Sequence, residues 1–141
     1  AGGRNIVADL ESKYSTKYPT LDEEWVTAQN PQFFIHMSSK TDGGYTLDDP
    51  ARMRSTYDET MNRATLANVT AIRNENVYVL SAWEVLDTPR FFVGLTYIAK
   101  ILHPELFNEL DPEKLHEEYL QRFQKVPYRG IYIYPSQKEA F

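Results

Sequence analysis

Residues 18–37, YPTLDEEWVTAQNPQFFIHM, contain the signals that decide the fold. The Thr-x-x-Glu spacing of Thr20 and Glu23 predicts a capping box at the start of a helix, and Asp22 is a second candidate cap. Pro31 disfavours helical geometry at the residue before it and therefore ends this helix. The apolar Phe-Phe-Ile run that follows predicts a central strand covered on both faces. The stretch thus indicates a short acidic helix followed by a buried strand.

Helices and strands alternate along the remaining sequence. A polar residue followed by proline predicts three further helix starts, at Asp49-Pro50, Thr88-Pro89 and Asp111-Pro112. Strands are predicted at residues 32–37, 77–80, 131–134 and 6–8. This alternation favours an α/β fold, a three-layer αβα sandwich around a mostly parallel central sheet.

Apolar residues at helical spacing indicate which helix faces are buried. In the middle one of the three proline-initiated helices, apolar residues cover nearly the whole circumference, so most of this helix should lie inside the protein. The other two helices each have one inward face, formed by Met53, Tyr57 and Met61 in the first and by Leu115, Tyr119 and Phe123 in the last.

Several stretches of the sequence resemble, in order, one family of receptors. They are residues 2–6 (GGRNI), 18–37, 68–80 (NVTAIRNENVYVL), 89–104 and 106–135, the last of which ends in GIYIYP. Together they resemble the C-terminal lobe of the two-lobed substrate-binding proteins of ABC importers for ferric siderophores, haem and cobalamin. The expected organisation is one lobe at residues 1–135 and a disordered tail at 136–141. Glu75 stands where the family commonly has Gly, so Asn74 or Asn76 is expected to make the turn there.

The resemblance implies an extracytoplasmic receptor, periplasmic or anchored on the outer face of the cell membrane, that binds an iron complex or a related metal chelate and is not an enzyme. Its implied partners are an ABC permease and a missing N-terminal lobe of the same polypeptide. Receptors of this family dock on the permease through one exposed glutamate per lobe, and Glu24, seven residues ahead of Pro31, matches that position. Because the surface that the other lobe covers is exposed in an isolated lobe, a homodimer is also expected.

The candidate ligand site lies in two loops. In open α/β sheets, ligands bind outside the carboxyl ends of the strands, and this rule selects residues 38–45 and 81–90. A cation in the first helical turn opposes the helix dipole, which favours a ligand role for Arg90, whereas Trp83 suits packing beneath the sheet edge equally well. The residues that suit a large, charged and partly aromatic ligand are Lys40, Tyr45, Trp83, Glu84 and Arg90.

Composition and motifs exclude other classes of protein. A chain of 141 residues is long enough for one core, and its net charge of −5 argues against binding to nucleic acid. The absence of cysteine excludes disulfides and thiolate catalysis. The sequence contains no nucleophile elbow, phosphate loop or zinc-helix histidine spacing, so no catalytic residue, metal site or cofactor is predicted.

One alternative stays open, a self-contained small α/β domain that acts as a cytoplasmic metabolite or nucleotide sensor or as an enzyme. The sequence upstream of Ala1 distinguishes the two hypotheses. A signal peptide followed by a second lobe is expected for the receptor, and an initiator methionine close to Gly2 is expected for the alternative.

Overall fold

The computed structural model describes residues 2–8, 20–87 and 89–136. Its helices are α1 (Glu23–Gln29), α2 (Ala51–Met61), α3 (Thr70–Arg73), α4 (Ala82–Val85), α5 (Phe91–Leu102) and α6 (Pro112–Tyr119). Its strands are β1 (Phe34–Met37), β2 (Val77–Leu80) and β3 (Ile133–Tyr134). A 3-10 turn at Ala64–Leu66 precedes α3, and a π-helical turn at Leu120–Gln124 follows α6. The tail prediction for residues 137–141 lies outside the described residues.

The three described strands form one sheet in the order β1-β2-β3. β1 and β2 are parallel, with Phe34 opposite Val77, whereas β3 runs antiparallel to β2. The prediction that the Phe-Phe-Ile run forms the central strand is therefore wrong for this sheet. The central strand is β2, whose four apolar residues are all buried, while the residues of β1 are only partly buried at the edge.

Helices pack on both faces of the sheet, which confirms the three-layer α/β sandwich. On one face, Leu80 joins a core with Val93, Tyr97 and Ile101 of α5. On the other face, Val77 joins a second core with Leu66, Val69 and Ile72 around α3. Alternation of side chains along β2 explains this division, since neighbouring strand residues point to opposite faces. The two cores fix the sheet between its helices, so the loops at the strand ends project from a rigid base.

The start of α1 differs from the predicted capping box. The helix begins at Glu23, and Asp22 is its cap, because the Asp22 side chain accepts hydrogen bonds from the backbone N–H groups of Glu24 and Trp25 at 2.9 and 3.1 Å. The pairing of Thr20 with Glu23 is wrong, since the Glu23 carboxylate turns to Arg63, 2.9 Å away. Glu23 thus ties α1 to the segment that follows α2.

Residues 6–8 form a turn in place of the predicted strand. The backbone N–H of Ala8 donates to the Asn5 carbonyl at 3.2 Å, and the N–H of Val7 donates to the Asn5 side chain at 3.1 Å. An asparagine side chain that binds the backbone two residues ahead competes with sheet pairing, which explains this error.

The three predicted helices are present as α2, α5 and α6, but α5 begins at Phe91, two residues after Pro89, and one inward position is wrong. Met53 and Tyr119 are buried as predicted, whereas 66% of Phe123 is exposed. The π-helical turn that contains Phe123 has more residues per turn than an α-helix, so the i, i+4 spacing from Tyr119 no longer leads to the same face.

The turn before β2 is also made by a different residue from the one expected. Glu75 itself has the left-handed backbone conformation, with φ of +57°, whereas the flanking Asn74 has φ of −100°. A residue with a Cβ atom in this conformation is strained by roughly 1–2 kcal/mol.

We therefore expect Glu75→Gly to raise the free energy of unfolding. The relieved strain exceeds the roughly 0.5–1 kcal/mol of chain entropy that glycine costs, which leaves a net gain of about 0.5–1 kcal/mol in urea denaturation. Glu75→Ala removes the same carboxylate but keeps the Cβ atom, so it should show no such gain. Equal stability of the two variants would contradict the strain at this turn.

Candidate ligand-binding site

The two predicted loops meet at one end of the sheet. The Ser38 N–H, just after β1, donates to the Leu80 carbonyl at 2.8 Å, and the Ser81 N–H, just after β2, donates to the Tyr132 carbonyl at 2.9 Å. These bonds align the strand ends, so the loops leave the sheet side by side. We call Lys40, Tyr45, Trp83, Glu84 and Arg90, which these loops bring together, the loop cluster.

Lys40 and Trp83 connect the first loop to α4. The Lys40 Nζ atom lies 4.1 Å from the centroid of the Trp83 ring, within the range of a cation–π contact. The Trp83 side chain projects from the four-residue helix α4, and 48% of the residue is exposed. This placement fits a surface role for Trp83 better than packing beneath the sheet edge.

Glu84 and Arg90 form an ion pair beside Trp83. The Arg90 guanidinium donates to the Glu84 carboxylate at 2.9 Å, and both side chains are about three-quarters buried. A Cβ atom on Gly44 would come within 2.7 Å of the Glu84 Cγ atom, so the first loop lies directly against this pair. Gly44 has φ of +126°, a conformation that glycine adopts without strain. The glycine thus allows the close approach of the two loops.

Tyr45 contacts a cation that lies outside the two predicted loops. The Arg129 guanidinium lies 4.5 Å from the centroid of the Tyr45 ring. The backbone of Gly44 pairs with Ile131, with the Gly44 N–H donating to the Ile131 carbonyl at 2.6 Å, and this bridge holds the two segments together. One face of Tyr45 and one face of Trp83 are therefore each covered by a cation.

A buried aromatic group lies beneath the loop cluster. His116 of α6 is fully buried, and its ring centroid lies 4.3 Å from that of Tyr132. Within residues 2–8, 20–87 and 89–136, neither ring nitrogen of His116 has a hydrogen-bond partner. Burial, with a smaller effect of the Arg90 charge, lowers the pKa of His116 to about 4. Burial likewise raises the pKa of the Tyr128 phenol, whose ring also contacts His116, to about 12. The His116 and Tyr128 side chains are therefore both uncharged at pH 7.

The other histidines lie apart from the loop cluster. His36 of β1 is within 3.0 Å of the Thr60 hydroxyl of α2, and burial lowers its pKa. His103 ends α5 and lies 3.8 Å from the Glu105 carboxylate. In the described part of the chain, no three His, Cys, Asp or Glu residues are grouped to hold a metal ion.

Glu24, the predicted docking residue, is exposed in the first turn of α1. Its neighbour Glu23 is engaged by Arg63 and Thr65. Among the described residues, the Glu24 carboxylate has no such partner. The two adjacent glutamates are therefore distinct, and Glu24 is the one available to another molecule.

The fold and the position of the loop cluster together match the place where open α/β domains bind ligands. Comparison with solved structures identifies the class of fold. The chain is similar to FepB, a TroA-like periplasmic binding protein from Veillonella parvula, with a TM-score of 0.66 and 25% sequence identity over 86% of this chain and 37% of that one. The chain therefore has a periplasmic-binding-protein fold, and this likeness agrees with the prediction that it is not an enzyme.

Comparison with characterised proteins gives a second relative, which matches a shorter stretch of the chain. Over 67 residues the chain is 27% identical to the molybdate-binding protein MolA from Haemophilus influenzae, a match that covers 45% of this chain and 19% of that protein. No family model matches the chain. The chain spans well under half the length of either relative. Among the described residues, none of the helices is both long and apolar enough to cross a membrane.

Proposed function

We propose that this chain is the C-terminal lobe of the extracytoplasmic substrate-binding component of an ABC importer. In this proposal the loop cluster forms one wall of a ligand cleft, and a second lobe of the same polypeptide forms the other wall. The ligand is an iron complex or a related metal chelate, of the siderophore, haem or cobalamin type. Glu24 docks the loaded receptor on the permease. The protein acts in the periplasm or on the outer face of the cell membrane.

The observation that carries this proposal is the convergence of the loop cluster at the carboxyl ends of β1 and β2. Five residues selected from two separate loops lie together through the Lys40–Trp83 contact, the Glu84–Arg90 ion pair and the approach of Gly44 to Glu84. The likeness to a periplasmic binding protein supports a binding role for this surface. The match covers only 37% of that relative, which supports the proposal that a second lobe forms the other wall of the cleft.

The isolated chain should fold but bind ferric siderophores, haem and cobalamin weakly. A single wall supplies only part of the contacts and removes little water from the ligand, and both losses reduce affinity. Isothermal titration calorimetry of each chelate into the isolated chain should give dissociation constants no tighter than about 100 μM. Far-ultraviolet circular dichroism on the same sample checks that the chain is folded.

Submicromolar binding of a chelate by the isolated chain would contradict the two-lobe proposal. Molybdate belongs in the same titration series, because the relative MolA is a molybdate-binding protein. Tight binding of molybdate without binding of any iron chelate, in the complete polypeptide, would contradict the iron-complex assignment and leave the importer role intact.

The expected homodimer of the isolated lobe also has a candidate surface. Phe91 and Leu95 lie one helical turn apart on α5 and are 52% and 44% exposed. Sedimentation velocity should show self-association of the isolated chain that Phe91→Ser with Leu95→Ser abolishes. A monomer at all concentrations would contradict the homodimer and would leave the ligand site untouched.

A further inference from the structure

We propose that Arg129 is a third cationic ligand contact and that the site takes a ligand with at least two negative charges. This inference rests on the proposed binding function and narrows its substrate class. Arg129 lies just before β3, outside the two loops that the sequence predicts for the site. Its guanidinium stands over Tyr45, whereas Lys40 stands over Trp83.

The antiparallel course of β3 brings Arg129 to the site. Ile133 at the start of β3 pairs with Leu80 at the end of β2, so the segment entering β3 lies at the same end of the sheet as the segment leaving β2. The backbone bridge between Gly44 and Ile131 then fixes this segment against the first loop. The hydroxyl of Tyr132 donates to the Arg129 carbonyl at 2.7 Å, which further holds the backbone of this residue in place.

The charges at this end of the sheet are only partly paired. Lys40, Arg90 and Arg129 contribute three positive charges and Glu84 contributes one negative charge. The same two loops also carry the carboxylates of Asp42, which lies 3.6 Å from Arg52, and Asp87. In the described part of the chain, neither Lys40 nor Arg129 pairs with a carboxylate. An anionic ligand completes these pairs, whereas a neutral ligand leaves two cations uncompensated in a closed cleft.

The arrangement also orients the cations. A guanidinium stacked on an aromatic ring keeps its N–H groups directed along the ring plane, free to donate to oxygen atoms at the edge of the stack. Tyr45 beneath Arg129 and Trp83 beneath Lys40 thus each hold a cation, at 4.5 and 4.1 Å from the ring centroid, in addition to the Glu84–Arg90 pair. The ligand class that fits is a multiply charged anion whose carboxylate, catecholate or other oxygen atoms are spread across its surface.

The test compares chelates of different charge on the complete polypeptide that carries this chain. The probes are a ferric tricatecholate trianion, a neutral ferric trihydroxamate, and molybdate as a divalent oxyanion, each titrated at 50 and 500 mM NaCl. We expect a multiply charged anion to bind at least tenfold more tightly than the neutral chelate, with weaker binding at high salt. Arg129→Gln should lower that affinity about tenfold or more and reduce its dependence on salt.

Arg122→Gln is the matched control. Arg122 also stands over an aromatic ring, 5.6 Å from the centroid of Phe123, and its loss changes the net charge of the protein equally. Its replacement should leave the affinity unchanged. Equal binding of the neutral and anionic chelates, or wild-type affinity of Arg129→Gln for the anion, would overturn this inference while leaving the binding function in place. Failure of the folded polypeptide to bind any of the three probes, haem or cobalamin would overturn the proposed function itself.

Discussion

At pH 4 the folded chain should be less stable than at pH 7 by about 3 kcal/mol because of His116 alone. The pKa of this side chain is about 4 in the folded protein, against 6.5 as the ordinary value. Between pH 6.5 and pH 4 the unfolded state binds a proton that the folded state does not. The contribution of His116 to the free energy of unfolding is therefore complete above the unfolded-state pKa and is lost as the pH falls toward the folded-state pKa. The cause is burial of an imidazole beside Tyr132 and Tyr128, with the Arg90 charge opposing a second positive charge.

His116→Phe separates this contribution from that of the carboxylates. Phenylalanine keeps a ring against Tyr132 but has no proton to bind, so the variant should retain most of its stability between pH 6.5 and 4. The measurement is urea denaturation of both proteins across this range, with the difference between their unfolding free energies plotted against pH. A difference that stays constant from pH 6.5 to pH 4 would show that His116 is not buried as a neutral group.

Glu24→Arg should reduce uptake by tenfold or more while leaving ligand affinity unchanged and lowering stability by only about 1 kcal/mol, the cost of a cation at the start of a helix. Charges at a docking surface raise the encounter rate and fix orientation, and such steering is worth roughly 10–10³ in association rate. Glu24 is exposed and, in the described part of the chain, has no ion-pair partner, so its replacement removes no internal contact. The readouts are transport and permease-stimulated ATP hydrolysis with the ligand-loaded receptor.

Glu109→Arg is the matched control for this charge reversal. Glu109 is an exposed glutamate between α5 and α6, and its replacement changes the net charge by the same amount. Uptake should stay near the wild-type rate in this variant. Normal transport by folded, ligand-loaded Glu24→Arg would refute the docking assignment, and an equal loss in both variants would show a general effect of net charge.

The parts of the fold that local chemistry determines were predictable from the sequence. Pro50, the cap residue of α2, and Pro112, the first residue of α6, identified the starts of these helices, and the apolar run of residues 77–80 matched β2 residue for residue. The strand order was harder to predict, because residues 33–35 are as apolar as residues 77–80. Only the pairing of the strands decides which one is central. The π-helical turn at Phe123 likewise depends on tertiary packing that helical periodicity does not contain.

Only part of the candidate site was predictable from the sequence, again because strand pairing decides the rest. The rule that selects loops at the carboxyl ends of parallel strands identified Lys40, Trp83 and Arg90, which the structure places together. It passed over Arg129, because a strand that runs antiparallel presents its preceding loop at this end of the sheet. The direction of β3 is set by its pairing with Val79 and Leu80, which the sequence of residues 131–134 does not reveal.

The central claim is that the loop cluster is a ligand-binding wall, and Trp83→Ala in the complete polypeptide tests it most directly. Because Trp83 is 48% exposed, its loss should shift the thermal midpoint little, whereas removal of a buried tryptophan costs about 3–5 kcal/mol. Calorimetric titration of the chelate that the wild-type polypeptide binds best should show an affinity at least tenfold lower for the variant, with the midpoint nearly unchanged. Wild-type affinity in the folded variant would contradict the claim.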